Sequence, residues 1–117
     1  MENKQFIPDQ IQKIKKEIFP IQLPVFDRHG DQISFYAEQL MNGFLLSDDG
    51  YLIRDLLSSG LTLEEIQEEL KKRLNNTGIF VDGYEMKTMV NQEQFVPAIN
   101  EMTQVFLDME KLFFNPE

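Results

Sequence analysis

Residues 61–88 read LTLEEIQEELKKRLNNTGIFVDGYEMKT, and the fold class is decided there, because the hydrophobic period changes midway. Up to Leu74 the apolar residues Leu63, Ile66, Leu70 and Leu74 fall at helical spacing. Thr62 and Glu65 form a capping box, each side chain placed to satisfy an N–H that the first turn leaves free, and Leu61 and Ile66 flank them as a hydrophobic staple. Glu64, Glu65, Glu68 and Glu69 precede Lys71, Lys72 and Arg73, the order a helix dipole favours. Asn75-Asn76-Thr77-Gly78 ends the helix. Asp82-Gly83 then joins Ile79-Phe80-Val81 to Tyr84-Glu85-Met86-Lys87-Thr88, which predicts a two-residue hairpin of the I′ kind. That register puts Ile79, Val81, Tyr84 and Met86 on one face, and Phe80, Glu85 and Lys87 on the other. A capped helix running directly into a hairpin is an α+β signature.

Toward the N-terminus, Ser47-Asp48-Asp49-Gly50 opens a shorter helix whose apolar face is Leu52, Ile53, Leu56 and Leu57, with Asp48 and Asp49 as caps. Before it, Val25-Phe26, Ile33 to Ala37 and Phe44-Leu45-Leu46 read as a three-stranded antiparallel meander, turning at Asp27 to Asp31 and at Asn42-Gly43. Ile7, Ile11, Ile14 and Ile18 recur at spacings of four, three and four, predicting an N-terminal helix that Pro20 stops near Phe19. Toward the C-terminus, Phe95, Ile99, Met102, Phe106, Met109 and Phe113 predict a long helix over about residues 96–114. Its stripe reads first as core and second as a homodimer seam or docking face. With 117 residues and 42% hydrophobic content, the expectation is one α+β domain over residues 1–117.

Composition narrows the chemistry. The absence of cysteine removes disulfides, thiolate zinc sites and thiol nucleophiles, and no cofactor is implied. No apolar run exceeds three residues, so neither a membrane span nor a signal-peptide core is expected, and the chain reads as cytoplasmic. Eleven Lys and Arg against twenty Asp and Glu give a net charge of −9, which disfavours direct nucleic-acid binding. Residues 1–20 sum to +1, residues 21–60 to −4, residues 61–90 to −2 and residues 91–117 to −4. The single histidine, His29, lies in a turn, and Ser34, Ser47, Ser58 and Ser59 lack a nucleophile-elbow context. Asp27, Asp31, Asp48 and Asp49 are the one acidic set that suits Mg²⁺ or Ca²⁺, as a metal-dependent nuclease or phosphodiesterase would need. Against it, the same aspartates serve as ordinary caps and turn residues, and no calcium-loop motif is present. No catalytic residue is assigned.

Three runs carry a resemblance: Leu23 to Tyr36 with its Asp27-Arg28-His29-Gly30-Asp31 turn, Phe44 to Leu56 with Ser47-Asp48-Asp49-Gly50, and Thr77 to Met86. Over roughly residues 23–90 they resemble a bacterial and prophage family of domains of unknown function, the one numbered 1828 in that series. The resemblance implies a setting of phages, prophages and mobile elements, in which small acidic proteins often inhibit host defence enzymes. The expectation is a non-enzymatic acidic inhibitor of a host nucleic-acid enzyme, anti-CRISPR-like, with a CRISPR nuclease as first target. Carboxylates imitating phosphate spacing would occupy the enzyme's basic channel, with Glu64, Glu68, Glu101, Asp108 and Glu110 as the candidate partner-binding residues. The alternatives are the metal-dependent nuclease and an oligomeric, antitoxin-like accessory protein built on the last helix.

Overall fold

Alternation in Ile33, Phe35 and Ala37 sets one face of a strand inward, and the sheet is built around that strand. The computed structural model describes residues 17–114. Its elements are β1 (Ile18–Phe26), β2 (Gln32–Leu40), β3 (Gly43–Ser47), α1 (Tyr51–Ser58), α2 (Leu63–Leu74), β4 (Phe80–Asp82), β5 (Glu85–Val90) and α3 (Phe95–Phe114). The five strands form one antiparallel sheet in the order β1-β2-β3-β5-β4. The expected α+β class, meander, central helices, hairpin and long C-terminal helix are all present.

Ile33, Phe35, Ala37, Leu46 and Met86 point to one side of the sheet and join Leu52, Ile53, Leu56, Ile66 and Leu70 in a single hydrophobic cluster. Ile99, Met102, Phe106 and Met109 complete it, so the Phe/Met stripe of α3 is core. Phe95 and Phe113, the stripe's ends, are partly buried against the same cluster. The opposite face of the sheet carries Tyr36, Leu45, Ser47, Lys87 and Met89, by the same pairing registers, and no described element lies across it.

Three local expectations are corrected. Residues 18–20 belong to β1, paired as Ile18 with Glu38, Phe19 with Ala37 and Pro20 with Tyr36, and are not the end of a helix. Pro20 is tolerated because β1 is an edge strand, where a missing N–H costs no ladder bond. The expected helix over residues 1–16 lies outside the described residues. The β4–β5 loop is Gly83-Tyr84, because Asp82 pairs with Glu85 and Val81 with Met86. Positive φ at Gly83 (66°) but not at Tyr84 is the II′ pattern, and it brings Val81 and Met86 to the core side while Tyr84 moves into the turn. The β2–β3 loop likewise falls one residue early, at Met41-Asn42, since Leu40 pairs with Gly43. Gly43 is required there, because a Cβ would sit 2.2 Å from the Val90 carbonyl oxygen.

Candidate functional site

A group of ionisable side chains forms where the β1–β2 turn meets α1 and α3. Asp27 organises the turn: Oδ1 accepts from the His29 N–H (2.9 Å) and the Asp31 N–H (2.9 Å), an Asx-type closure. Its Oδ2 accepts from the Tyr51 hydroxyl at 2.7 Å. Tyr51 opens α1 and stacks on Phe106 of α3, ring centroids 5.9 Å apart. Burial pushes the Asp27 carboxyl up, but the Tyr51 hydroxyl and the two backbone N–H groups outweigh it, and the carboxyl sits below its ordinary value. Burial and the bond to Asp27 push the Tyr51 phenol up.

The next two turn residues reach across to α1. Arg28 Nε lies 3.3 Å from Asp55 Oδ2, its Nη2 donates to the Ser59 hydroxyl, and its guanidinium sits 3.7 Å from the centre of the Phe114 ring. His29 Nε2 is 2.8 Å from Asp55 Oδ1, with the imidazole side chain 41% exposed. The Arg28 N–H donates to Glu110 Oε2 at 3.1 Å. Burial, with the Asp27 and Asp55 charges, raises the Glu110 carboxyl, against the lowering effect of that N–H and of the Arg28 charge.

An Asp-oriented imidazole is half of a nucleophilic triad, but three of the four serines direct their hydroxyls elsewhere. Ser58 and Ser59 both donate to the Asp55 carbonyl at 2.9 Å, and Ser47 donates to Glu85 at 2.9 Å. The site's visible work is to clamp the β1–β2 turn onto α1 and the end of α3.

Of the acidic set considered for a metal, Asp27 is committed as described and Asp31 and Asp49 are exposed. Asp48 is 1% exposed, and its carboxylate accepts three backbone N–H groups: Gly50 (2.8 Å), Leu52 (3.2 Å) and Met86 (3.0 Å). It therefore caps α1 from two residues before the N-cap, Gly50, while tying β5 to the same point. Burial raises the Asp48 carboxyl, opposed by those three N–H groups. Asp49 does not share the capping: its side chain is exposed, and its backbone N–H donates to the Ser47 hydroxyl at 2.9 Å. Among the described residues no group of three or more His, Asp or Glu gathers to hold a metal ion.

The five candidate partner-binding acids separate. Glu64 and Glu68 are exposed one turn apart on α2, and Glu101 is exposed on α3. Asp108 is half-buried and accepts from Gln104 Nε2 at 2.8 Å. Glu110 is buried and faces the β1–β2 turn, so it is not a surface acid. A signal for this was present, because Glu110 lies four residues after Phe106 and three before Phe113, on the apolar side of the helix. The Arg28–Asp55 pair had no such signal, its partners being 27 residues apart. No helix among the described residues is long and apolar enough to cross a membrane.

The family model described as "Domain of unknown function DUF1828" matches residues 23–109, and the chain belongs to that family. No curated protein and no solved structure matches it.

Proposed function

We propose that this family member is a non-enzymatic, acidic binding protein of phage or prophage origin that inhibits a host nucleic-acid enzyme in the bacterial cytoplasm, with a CRISPR nuclease as the first target class. The carrying observation is how the acids divide. Asp27, Asp48 and Glu110 are spent inside the fold, whereas Glu64, Glu68 and Glu101 stand exposed on helices of a chain with net charge −9. Exposed carboxylates at helical spacing oppose the lysines and arginines of a nucleic-acid channel, and opposite charge accelerates encounter. Asp108 is a rim contact in this reading, and Glu110 drops out of the contact surface.

The test is capture of a partner from host lysate with the tagged chain, followed by binding kinetics on the recovered enzyme. Glu64→Lys with Glu68→Lys slows association at low salt more than it speeds dissociation. The difference vanishes near 1 M salt, where the screening length is about 3 Å. Binding indifferent to both charge reversal and salt contradicts the reading. Divalent-metal-dependent cleavage of nucleic acid by the chain itself replaces it with the nuclease alternative.

A further inference from the structure

The two edges of the sheet differ in chemistry. β1, at one edge, carries Pro20 and Pro24 and an irregular register between Gln22 and Phe26, devices that block the addition of another strand. β4, at the other edge, reads Phe80-Val81-Asp82 and has neither proline nor irregular register. Its two-residue loop makes Asp82 and Glu85 a hydrogen-bonded pair. By antiparallel alternation Phe80 and Lys87 are the next bonded pair, and Val81 and Met86 are the unbonded pair between them. The Val81 N–H and C=O therefore point away from β5 to the open edge, and neither bonds to a described residue. Beside that edge lies a groove of about 610 Å³, floored by the buried Leu70 and Ile79 and walled by Gln67, Lys71 and Leu74 of α2 and by Val81. Lys71 is the one charged side chain lining it. It makes no ion pair with a described residue, whereas the next two cations of α2, Lys72 and Arg73, both reach Glu69, at 3.3 and 2.9 Å.

We propose that an extended segment of a partner protein adds to β4 as a sixth strand, with alternate apolar side chains in the groove and an Asp or Glu side chain against Lys71. Each feature selects part of that occupant. A free N–H and C=O on one edge residue suit the backbone of a strand, whereas a docked helix keeps its own backbone bonds and leaves both groups unpaired. Side chains alternate along a strand, so every second residue of the segment enters the groove between α2 and β4. Lys71 sets the sign of the polar contact. Because β4 is three residues long, the added ladder is short and the groove supplies the rest of the contact. A second copy of the chain is a poorer complement: the acid of its own β4, Asp82, is already held by Lys87 at 3.0 Å.

The test selects random peptides displayed on phage against the full-length chain and measures the recovered sequences as synthetic peptides. The expected sequences alternate apolar residues and carry Asp or Glu. In the isotope-labelled chain they shift the amide signals of Lys71, Leu74 and Val81 and leave those of Glu101 and Thr103 on α3 in place. N-methylation of every second peptide amide abolishes binding in one register and spares it in the other, because one edge of the added strand faces β4. Lys71 is exposed, so Lys71→Glu leaves the fold intact and weakens the peptide about tenfold, with Lys72→Glu much milder. Recovery of no peptide, signal shifts confined to other surfaces, equal tolerance of the two methylated registers or indifference to Lys71→Glu each overturn the proposal. So does a Val81 amide that moves with the concentration of the chain alone, which assigns the edge to a second copy.

Discussion

Replacing Asp48 tests the central joint of the fold. Its carboxylate holds the N–H groups of Gly50 and Leu52 at the start of α1 and of Met86 in β5. All three donors belong to buried residues, so Asp48→Ala leaves three N–H groups without an acceptor or a path to water. Each such group costs about 1–3 kcal/mol. Releasing the burial cost of the carboxylate offsets part of this, leaving a net loss of about 3 kcal/mol. Asp48→Asn keeps an oxygen in the Oδ1 position for Gly50 and Met86 but turns an amide group toward the Leu52 N–H, for a loss of about 1–2 kcal/mol. Urea denaturation followed by circular dichroism reads both, because 3 kcal/mol on a domain of this size lowers the midpoint by about 2 M. The order wild type, Asn, Ala is the signature of a hydrogen-bonding role. Equal loss in the two variants, or an Ala variant at the wild-type midpoint, refutes the reasoning.

Further outcomes follow from the same geometry. Phe106→Ala removes a side chain that is 1% exposed and stacked on Tyr51, and lowers stability by about 3–5 kcal/mol in equilibrium unfolding; a near-wild-type midpoint contradicts its core placement. Thr62→Ala breaks the capping box, in which the Glu65 N–H donates to the threonine hydroxyl at 3.1 Å, and lowers stability by about 1 kcal/mol without weakening partner binding. Glu110→Gln carries a pH sign. A carboxyl raised in the fold contributes stability that is complete below its ordinary value of 4.5 and lost as pH rises through its folded value. Glutamine stays neutral while still accepting from the Arg28 N–H, so the variant is more stable than the wild type at pH 7 and no more stable near pH 4. Equal effects at both pH values contradict the assignment.

Legibility in the sequence tracked the range of the interaction. The Thr62–Glu65 box, the apolar stripes of α1, α2 and α3 and the alternation of Ile33, Phe35 and Ala37 are each encoded within a few residues, and each appears in the structure. The hairpin slipped by one residue because Asp82-Gly83 is a strong local turn signal, whereas the pairing follows burial of Met86 against the core. Ile18 fits the isoleucine repeat before it, yet its backbone pairs with Glu38 in β2, a partner twenty residues away that no repeat reveals. The clamp of Arg28, His29 and Asp55 is the extreme case: the turn and α1 carry its halves, and only the packing of the helices on the sheet brings them together. Of the candidate acids, Glu64, Glu68 and Glu101 are legible as solvent-facing helical positions, whereas the charge of Glu110 masks a place between Phe106 and Phe113 on the buried side of α3.

The proposed inhibition is tested most directly by competition on the captured enzyme. Binding of nucleic acid to that enzyme is measured with increasing amounts of the chain, at low and high salt. The account predicts mutual exclusion at low salt, progressive loss of the chain's binding as salt rises, and loss of exclusion when Glu64 and Glu68 are both replaced by lysine. A ternary complex in which the enzyme holds nucleic acid and the chain together, unchanged by salt, contradicts it.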